Sequence, residues 1–297
     1  MDQSFVKEKI LFLINPLSGT SQKEHLPEII KELADSAIFD IEIVITKYKG
    51  EATEIVRQKL TENCRYFVAV GGDGTVNEIA KALINTKAIM GIIPVGSGNG
   101  LARHLQIPLQ PQKAIEIINK QKFQTIDYGL INNKPFFCTC GVGFDALISE
   151  KFAQCKGRGA TNYMRTVILE YFKYKPEIYQ ITVENEPMIN RQAFLITFAN
   201  GSQYGNNAYI APNADICDGK LDICILSPFK LFNAPGIGIR LFSKNIDKSS
   251  LMHSEKASNI LLERASEGVI HIDGEPCMMG KRIEISLINN GLNVIVP

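Results

Sequence analysis

Between Tyr66 and Leu105 the chain twice runs the same course: an apolar stretch, a glycine-rich loop, and the start of a helix. Tyr66-Phe67-Val68-Ala69-Val70 reads as a fully buried strand, and Gly71-Gly72-Asp73-Gly74-Thr75 follows it directly. Val76, Ile79, Ala80 and Leu83 then fall at the spacing of one helix face. The second pass is Gly91-Ile92-Ile93-Pro94-Val95, then Gly96-Ser97-Gly98-Asn99-Gly100, then Leu101 to Leu105. A glycine loop between a strand and a helix N-terminus presents backbone N–H groups and the positive end of the helix dipole, which suits a phosphate. Two such loops in tandem predict one polyphosphate held from two sides.

Neither loop is a P-loop, because no Gly-Lys-Ser/Thr closes it, and Asn77 stands where a dinucleotide fingerprint needs its third glycine. Asp73 is the informative residue. A carboxylate beside a phosphate is repulsive unless a cation lies between them, so Asp73 is a candidate for magnesium or its waters. The alternative is a turn in which Asp73 caps the helix that follows it.

Around these loops the first half alternates strand and helix. Ile10 to Ile14 is an apolar strand that exits into Asn15-Pro16-Leu17-Ser18-Gly19; Leu26, Ile29, Ile30 and Leu33 form a helical stripe; Phe39 to Ile45 is a second strand ending at Thr46. Such alternation predicts an α/β fold with a doubly wound parallel sheet, its ligand at the carboxyl ends of the strands. Near Gln124 the pattern changes to short strands without intervening helices, as in an antiparallel β-sandwich. The expected division is an α/β nucleotide-binding domain over residues 1–128 and a β-sandwich substrate domain over 129–287. One long helix interrupts the strands around Tyr163 to Phe172, with Arg165, Lys173 and Lys175 beside it. It reads either as a membrane-surface helix or as a cover for the sandwich; the breadth of its apolar stripe favours the cover. Phe229 to Lys248 is a weaker membrane-facing candidate that reads equally as a buried connection.

The 297 residues carry a net charge of +1, which gives no reason to expect nucleic acid as a partner. No apolar run approaches the length of a bilayer span, and Met1 to Ser4 lacks the basic start of a secretory signal, so a cytoplasmic protein is expected, peripheral at the inner membrane surface. Seven cysteines without a Cys-x-x-Cys pair, and four histidines without ligand spacing, argue against a disulfide framework or a zinc site.

The ordered motifs Asn15-Pro16-Leu17-Ser18-Gly19, Gly71-Gly72-Asp73-Gly74-Thr75 and Gly96-Ser97-Gly98-Asn99 resemble the diacylglycerol kinase catalytic-domain family. The second motif is shared with sphingosine and ceramide kinases, NAD kinases and 6-phosphofructokinases; the Gly-Ser-Gly-Asn form is closest to sphingosine and ceramide kinases. The resemblance spans essentially the whole chain. It implies transfer of the γ-phosphate of ATP, with Mg2+, to the primary hydroxyl of diacylglycerol or a related, even sphingoid, lipid. It implies a nucleotide shell of Asn15, Pro16, Ser18, Gly19, Thr46, Gly71, Gly72, Asp73, Gly74, Thr75, Asn77 and Glu78, with Gly96, Ser97 and Asn99 from the second loop. It also implies that Asp127 joins Asp73 in the active-site network, and that Glu275 of Asp273-Gly274-Glu275 is the general base. Asp218, with carbonyls of Asp215 and Lys220, matches the family's structural magnesium site, although Cys217 departs from the doubly acidic motif there, and Asp218-Gly219 reads equally as a type I′ hairpin turn. The last strand, about 288–297, is implied to return to the first domain. Partners are then ATP, a lipid substrate and a membrane surface, with a homodimer left open. Two other readings stand beside this one: a NAD kinase-like enzyme, and a nucleotide- or lipid-binding regulator without catalysis.

Overall fold

The computed structural model describes residues 7–18, 25–154, 160–184 and 186–297, with backbone alone for 160–164. The chain divides into two compact units, Met1–Ile126 with Asn290–Pro297, and Asp127–Asn289.

The first unit runs β1 (Glu8–Ile14), α1 (Leu26–Leu33), β2 (Phe39–Ile45), α2 (Glu51–Thr61), β3 (Tyr66–Gly71), α3 (Asp73–Leu83), β4 (Ile89–Pro94), α4 (Gly100–His104) and α5 (Pro111–Asn119). All residues of β3 and β4 are buried, which is why both read as unbroken apolar runs rather than alternating ones. The strands are parallel in the order β2-β1-β3-β4. The order reverses at β1, so right-handed crossovers place α1 on one face and α2 and α3 on the other. Packing agrees: α1 lies against α5, and α2 against α3. This is the doubly wound sheet the alternation predicts. The loops after β1, β2, β3 and β4 leave its carboxyl edge together.

The second unit takes up β5 (Phe123–Ile131) from Asp127 onward, then β6 (Lys134–Phe136), β7 (Thr139–Gly143), α6 (Phe144–Gln154) and α7 (Ala160–Tyr171). The strands β8 (Glu177–Val183), β9 (Ile189–Ala193), β10 (Leu195–Ala199) and β11 (Leu221–Leu226) follow, then α8 (Ala234–Phe242). The chain closes with β12 (Met252–Ala257), β13 (Asn259–Arg264), β14 (Gly268–Ile272), β15 (Glu275–Met279) and β16 (Arg282–Ile295). One sheet has the antiparallel order β12-β11-β10-β7-β14-β15; the other pairs β16 with β13, β13 with β8, and β8 with β9. Ile196, Phe198, Ile223 and Ile270 of the first sheet share one core with Ile181, Ile260, Leu262 and Ile283 of the second, which makes the unit an antiparallel sandwich.

Two local readings change. Residues 283–287 read as a strand of the sandwich and the resemblance implies a separate last strand, about 288–297; the two form one strand, β16, with only Asn290 of its Asn289-Asn290-Gly291 stretch in the left-handed region (φ 52°). Near its end, Asn293 and Val294 pair in parallel with Ile89 and Met90 of β4. The Asp218-Gly219 pair is not a type I′ turn, since that needs positive φ at both central residues and only Gly219 (φ 75°) has it. The type I′ signature instead occurs at Asp273-Gly274 (φ 47° and 82°) and at Asn132-Asn133 (φ 43° and 65°), which turn β14 into β15 and β5 into β6.

Candidate active site

In the first unit, glycine lets two loop backbones touch. A Cβ on Gly96 would lie 2.4 Å from the Cα of Gly72, and one on Gly72 3.1 Å from the Cα of Gly96. Asp73 ties the loops together: its two carboxylate oxygens accept the N–H of Asn99 at 2.8 Å and of Gly100 at 2.6 Å. Asp73 therefore does not cap its own helix, α3, but the start of α4 in the neighbouring loop. The N-cap of α3 is Gly72, which has no side chain to cap with. Asn99, buried at φ 54°, shapes the second loop by donating to the carbonyl of Gly96 and accepting its N–H.

The first loop joins the same edge. The Asn15 amide donates to the Thr75 hydroxyl at 3.0 Å while its oxygen accepts the N–H of Leu17, and the Ser18 hydroxyl donates to the Asn15 carbonyl. A Cβ on Gly71 would meet Thr75 Oγ1 at 2.3 Å, so this glycine leaves room for the hydroxyl that Asn15 holds. Thr46 is buried at the end of β2 and bonds the carbonyl of Ile14. The Glu78 carboxylate accepts the N–H of Gly50, the N-cap of α2, so one role of Glu78 is to fix the 46–50 loop. Pro16 and Ser97 lie exposed on this edge, Gly74 is exposed at the start of α3, and Asn77 is half-buried one turn on. Gly19 lies outside the described residues.

Taken together, the edge offers an uncapped helix N-terminus, glycines where backbone must come close, and few side chains in the way. Both oxygens of the Asp73 carboxylate thus accept a backbone N–H from the neighbouring loop.

In the second unit Glu275 begins β15, exposed, directly after the Asp273-Gly274 turn. Asp273 anchors that turn. Its carboxylate accepts the backbone N–H of Phe137, Cys138 and Thr139 at 2.8–3.0 Å, and its own N–H donates to the carbonyl of Thr139. Asp127 is buried; its carboxylate accepts the N–H of Gly219 at 2.9 Å, and its N–H donates to Ile216. It thereby latches the 215–220 loop. Within that loop Asp215 accepts the N–H of Cys217 and Asp218 that of Lys220. The other oxygen of Asp218 meets the Lys256 ammonium at 2.5 Å. A metal at Asp218 would have to displace that ammonium, so the donor set as it stands does not fit one. Among the described residues no group of three or more His, Cys, Asp or Glu side chains is arranged to hold a metal ion.

Comparison with known proteins connects these two units. A diacylglycerol kinase catalytic domain matches residues 9–131, and a YegS C-terminal NAD kinase beta sandwich-like domain matches 138–295. An Enterobacter sp. (strain 638) protein named "Probable lipid kinase YegS-like" is 30% identical, over 98% of this chain and 96% of its own length. The chain belongs to the diacylglycerol kinase-like family of lipid kinases. Another relative, a Mycobacterium tuberculosis (strain CDC 1551 / Oshkosh) protein named diacylglycerol kinase, is 29% identical over 72% of each chain. Two solved structures share the fold: a diacylglycerol kinase from Bacillus anthracis str. Sterne (22% identity, 98% of this chain and 97% of that one, TM-score 0.74) and an NAD kinase from Archaeoglobus fulgidus in complex with ATP (13%, 96% and 93%, 0.55).

In this lipid kinase relative, sequence reasoning missed two arrangements. Asp273 looked like a turn residue, yet it is the anchor of the Glu275 turn; the Asp-Gly pair signals the turn but not the three N–H groups waiting for its carboxylate. The second is a buried cluster in which one Asp145 oxygen meets the Thr197 hydroxyl, the Tyr204 hydroxyl and His271 Nε2 at 3.0–3.1 Å. Thr197, Gly141 and His271 sit side by side on β10, β7 and β14, and a Cβ on Gly141 would lie 2.9 Å from both Asp145 and His271. Asp145 thus fastens the start of α6 to β10, to β14 and to the loop carrying Tyr204, across the gap left by Gly141. No local pattern could have signalled it.

Proposed function

We propose that this kinase transfers the γ-phosphate of magnesium-bound ATP to the primary hydroxyl of diacylglycerol or a related lipid. The observation that carries the donor half is the pair of glycine loops in backbone contact, locked by Asp73, at the carboxyl edge of a parallel sheet and beside the uncapped start of α3. In this reading the N–H groups of residues 72–75 and 97–98 bind the phosphates. Asn15, Ser18, Thr46 and Glu78 hold the surrounding loops in register, so little reorganisation is left for the moment of transfer. Magnesium on the phosphates supplies charge neutralisation. Glu275, projected from a turn that Asp273 holds rigid, accepts the proton of the attacking hydroxyl. Asp127 positions the 215–220 loop, and Asp218 pairs with Lys256. Phosphoryl transfer asks mostly for positioning and charge complementarity, which is what this chain's residues supply. Family membership supports the lipid as acceptor, and a lipid acceptor places the enzyme at a membrane surface, on the cytoplasmic side where ATP is found.

The test is transfer of radiolabelled phosphate from ATP into a total lipid extract of the host, beside parallel reactions with NAD and without acceptor. Label in a lipid whose mass rises by one phosphate is the expected result. Label in NAD but in no lipid would overturn the acceptor class, and ATP binding with no transfer to either would overturn the enzyme reading.

A further inference from the structure

Two helices of the second unit are apolar on both sides. On α7, Val167 and Tyr171 face inward and pack on the core cluster built around Phe144 and Phe194. Its outer side carries Ile168 and Leu169, and Phe172 follows directly after it, 68% exposed. On α8 and the turn before it, Ile237 and Leu241 reach the same core, while Phe232 (77% exposed), Ile239 (70%) and Phe242 point outward. A surface helix of a water-soluble domain puts charged residues on that outer side. The two segments are joined: the Tyr171 hydroxyl donates to the carbonyl of Phe229 at 2.8 Å, with the rings 5.6 Å apart. The outer side chains of both therefore sit over one shared core.

The charged residues of these two segments are mainly basic. Residues 229–245 contain Lys230, Arg240 and Lys244 and no Asp or Glu. Residues 160–175 carry Arg165, Lys173 and Lys175 against a single acid, Glu170, which pairs with Lys173. In a chain of net charge +1 this is a local excess. It disfavours a second copy of the same surface as the occupant, because a two-fold contact would set like charges against each other. Exposed aromatic and aliphatic side chains ringed by lysine and arginine match the interface of an anionic bilayer, where rings settle at headgroup level and cations meet lipid phosphates.

We propose that the outer faces of α7 and of the 229–244 segment form one docking surface for an anionic membrane. This deepens the lipid kinase reading by naming the surface that meets the substrate's bilayer. The helix around Tyr163 to Phe172 is then both cover and membrane contact, and the 229–248 segment is an exposed anchor rather than a buried connection.

The chain has no tryptophan, so a single one introduced is an unambiguous probe. With full-length protein and vesicles of phosphatidylcholine plus phosphatidylglycerol, Phe232→Trp emission should shift to the blue. Met188→Trp, exposed at the β8–β9 turn, should not shift. Ile168→Ser with Phe172→Ser, and separately Ile239→Ser with Phe242→Ser, should each lower vesicle affinity about tenfold or more. Thermal melting should hold, because the removed side chains are exposed, and so should turnover on a short-chain, water-dispersed diacylglycerol. Vesicle binding by the serine variants equal to the parent protein's, or loss of a dimer in ultracentrifugation without loss of vesicle binding, would overturn the proposal. Failure of the kinase reading looks different: the vesicle results hold and no lipid is phosphorylated.

Discussion

Asp73 shows how much one carboxylate can settle. It accepts N–H groups from Asn99 and Gly100, so it links the two glycine loops. Asp73→Asn puts an amide donor against a backbone donor. Hydrogen bonds to a charged group contribute about 1.5–3 kcal/mol each, so ATP affinity should fall about tenfold or more in titration calorimetry, and transfer should be abolished. Parent-like affinity and turnover together would sink the assignment. Glu275→Gln makes a contrasting prediction. It keeps size and loses basicity, so single-turnover transfer to lipid should fall by roughly the 10²–10⁴-fold typical of a general base, toward the low end for a loose transition state, with ATP affinity unchanged. Near-normal transfer by this variant beside none by Asp73→Asn would move the base role to Asp73.

At the scale of elements, function depends on where loops touch and what strands bury. Gly96→Ala forces a Cβ to within 2.4 Å of backbone that has nowhere to go, and to within 2.8 Å of the Asn99 oxygen that shapes the loop. Overpacking of this kind costs about 1–3 kcal/mol, and here it also parts the two phosphate loops. Loss of ATP binding with a melting temperature lowered by several degrees is the expected outcome; unchanged calorimetric affinity would count against the loop geometry. On the β11–β12 pair, Asp222 is buried opposite Lys256, with one oxygen lacking a hydrogen-bond partner. Burial pushes its carboxyl up from the usual range, with Lys256 opposing the shift. The folded state therefore holds this proton more tightly than the unfolded one, whose carboxyl titrates near about 3.9. Stability from this group is present at low pH and is lost as pH rises through the folded-state value. Asp222→Asn should remove that loss: its denaturant midpoint, measured relative to the parent protein's, should rise between about pH 4 and pH 7. A difference independent of pH would refute the account.

At the scale of the whole molecule, the first unit is discontinuous in sequence. Residues 290–297 return to it, with Leu292, Val294, Ile295 and Val296 buried and Asn293 bonded to the carbonyls of Thr86 and Ala88. At about 1.5–3 kcal/mol for each buried aliphatic side chain, these four contribute on the order of 6 kcal/mol or more, close to the full stability of an ordinary domain. A chain ending at Asn289 should lose cooperative unfolding of the first unit and ATP binding with it, and should aggregate through the bared edge of β4. Soluble protein with the parent's ATP affinity would contradict this. Among the described residues no helix is long and apolar enough to cross a membrane.

Local pattern carried as far as local physics reaches. Buried parallel strands need continuous apolar runs, a tight loop between strand and helix favours glycine, and an Asp-Gly pair after a strand favours a turn; the runs at β1, β3 and β4, the two glycine loops and the tight turn at Asp273-Gly274 were legible on those grounds, whereas the type I′ geometry lies there and not at Asp218-Gly219. Edge strands were not, since β12, with His253, Ser254 and Lys256 facing water or a neighbouring acid, has no alternation to read. Nor were partners far apart in the chain. That Asp73 would bind the second loop rather than cap α3, that Asp273 would collect three N–H groups from 137–139, and that Asp145 would reach His271 across Gly141 depend on which segments the fold sets side by side. Asn289-Asn290-Gly291 carries the composition of a turn yet runs on as strand, because ladder hydrogen bonds to β13 and β4 outweigh the preference of three residues. A side chain's type follows from the sequence; the backbone groups that wait for it follow only from the tertiary structure.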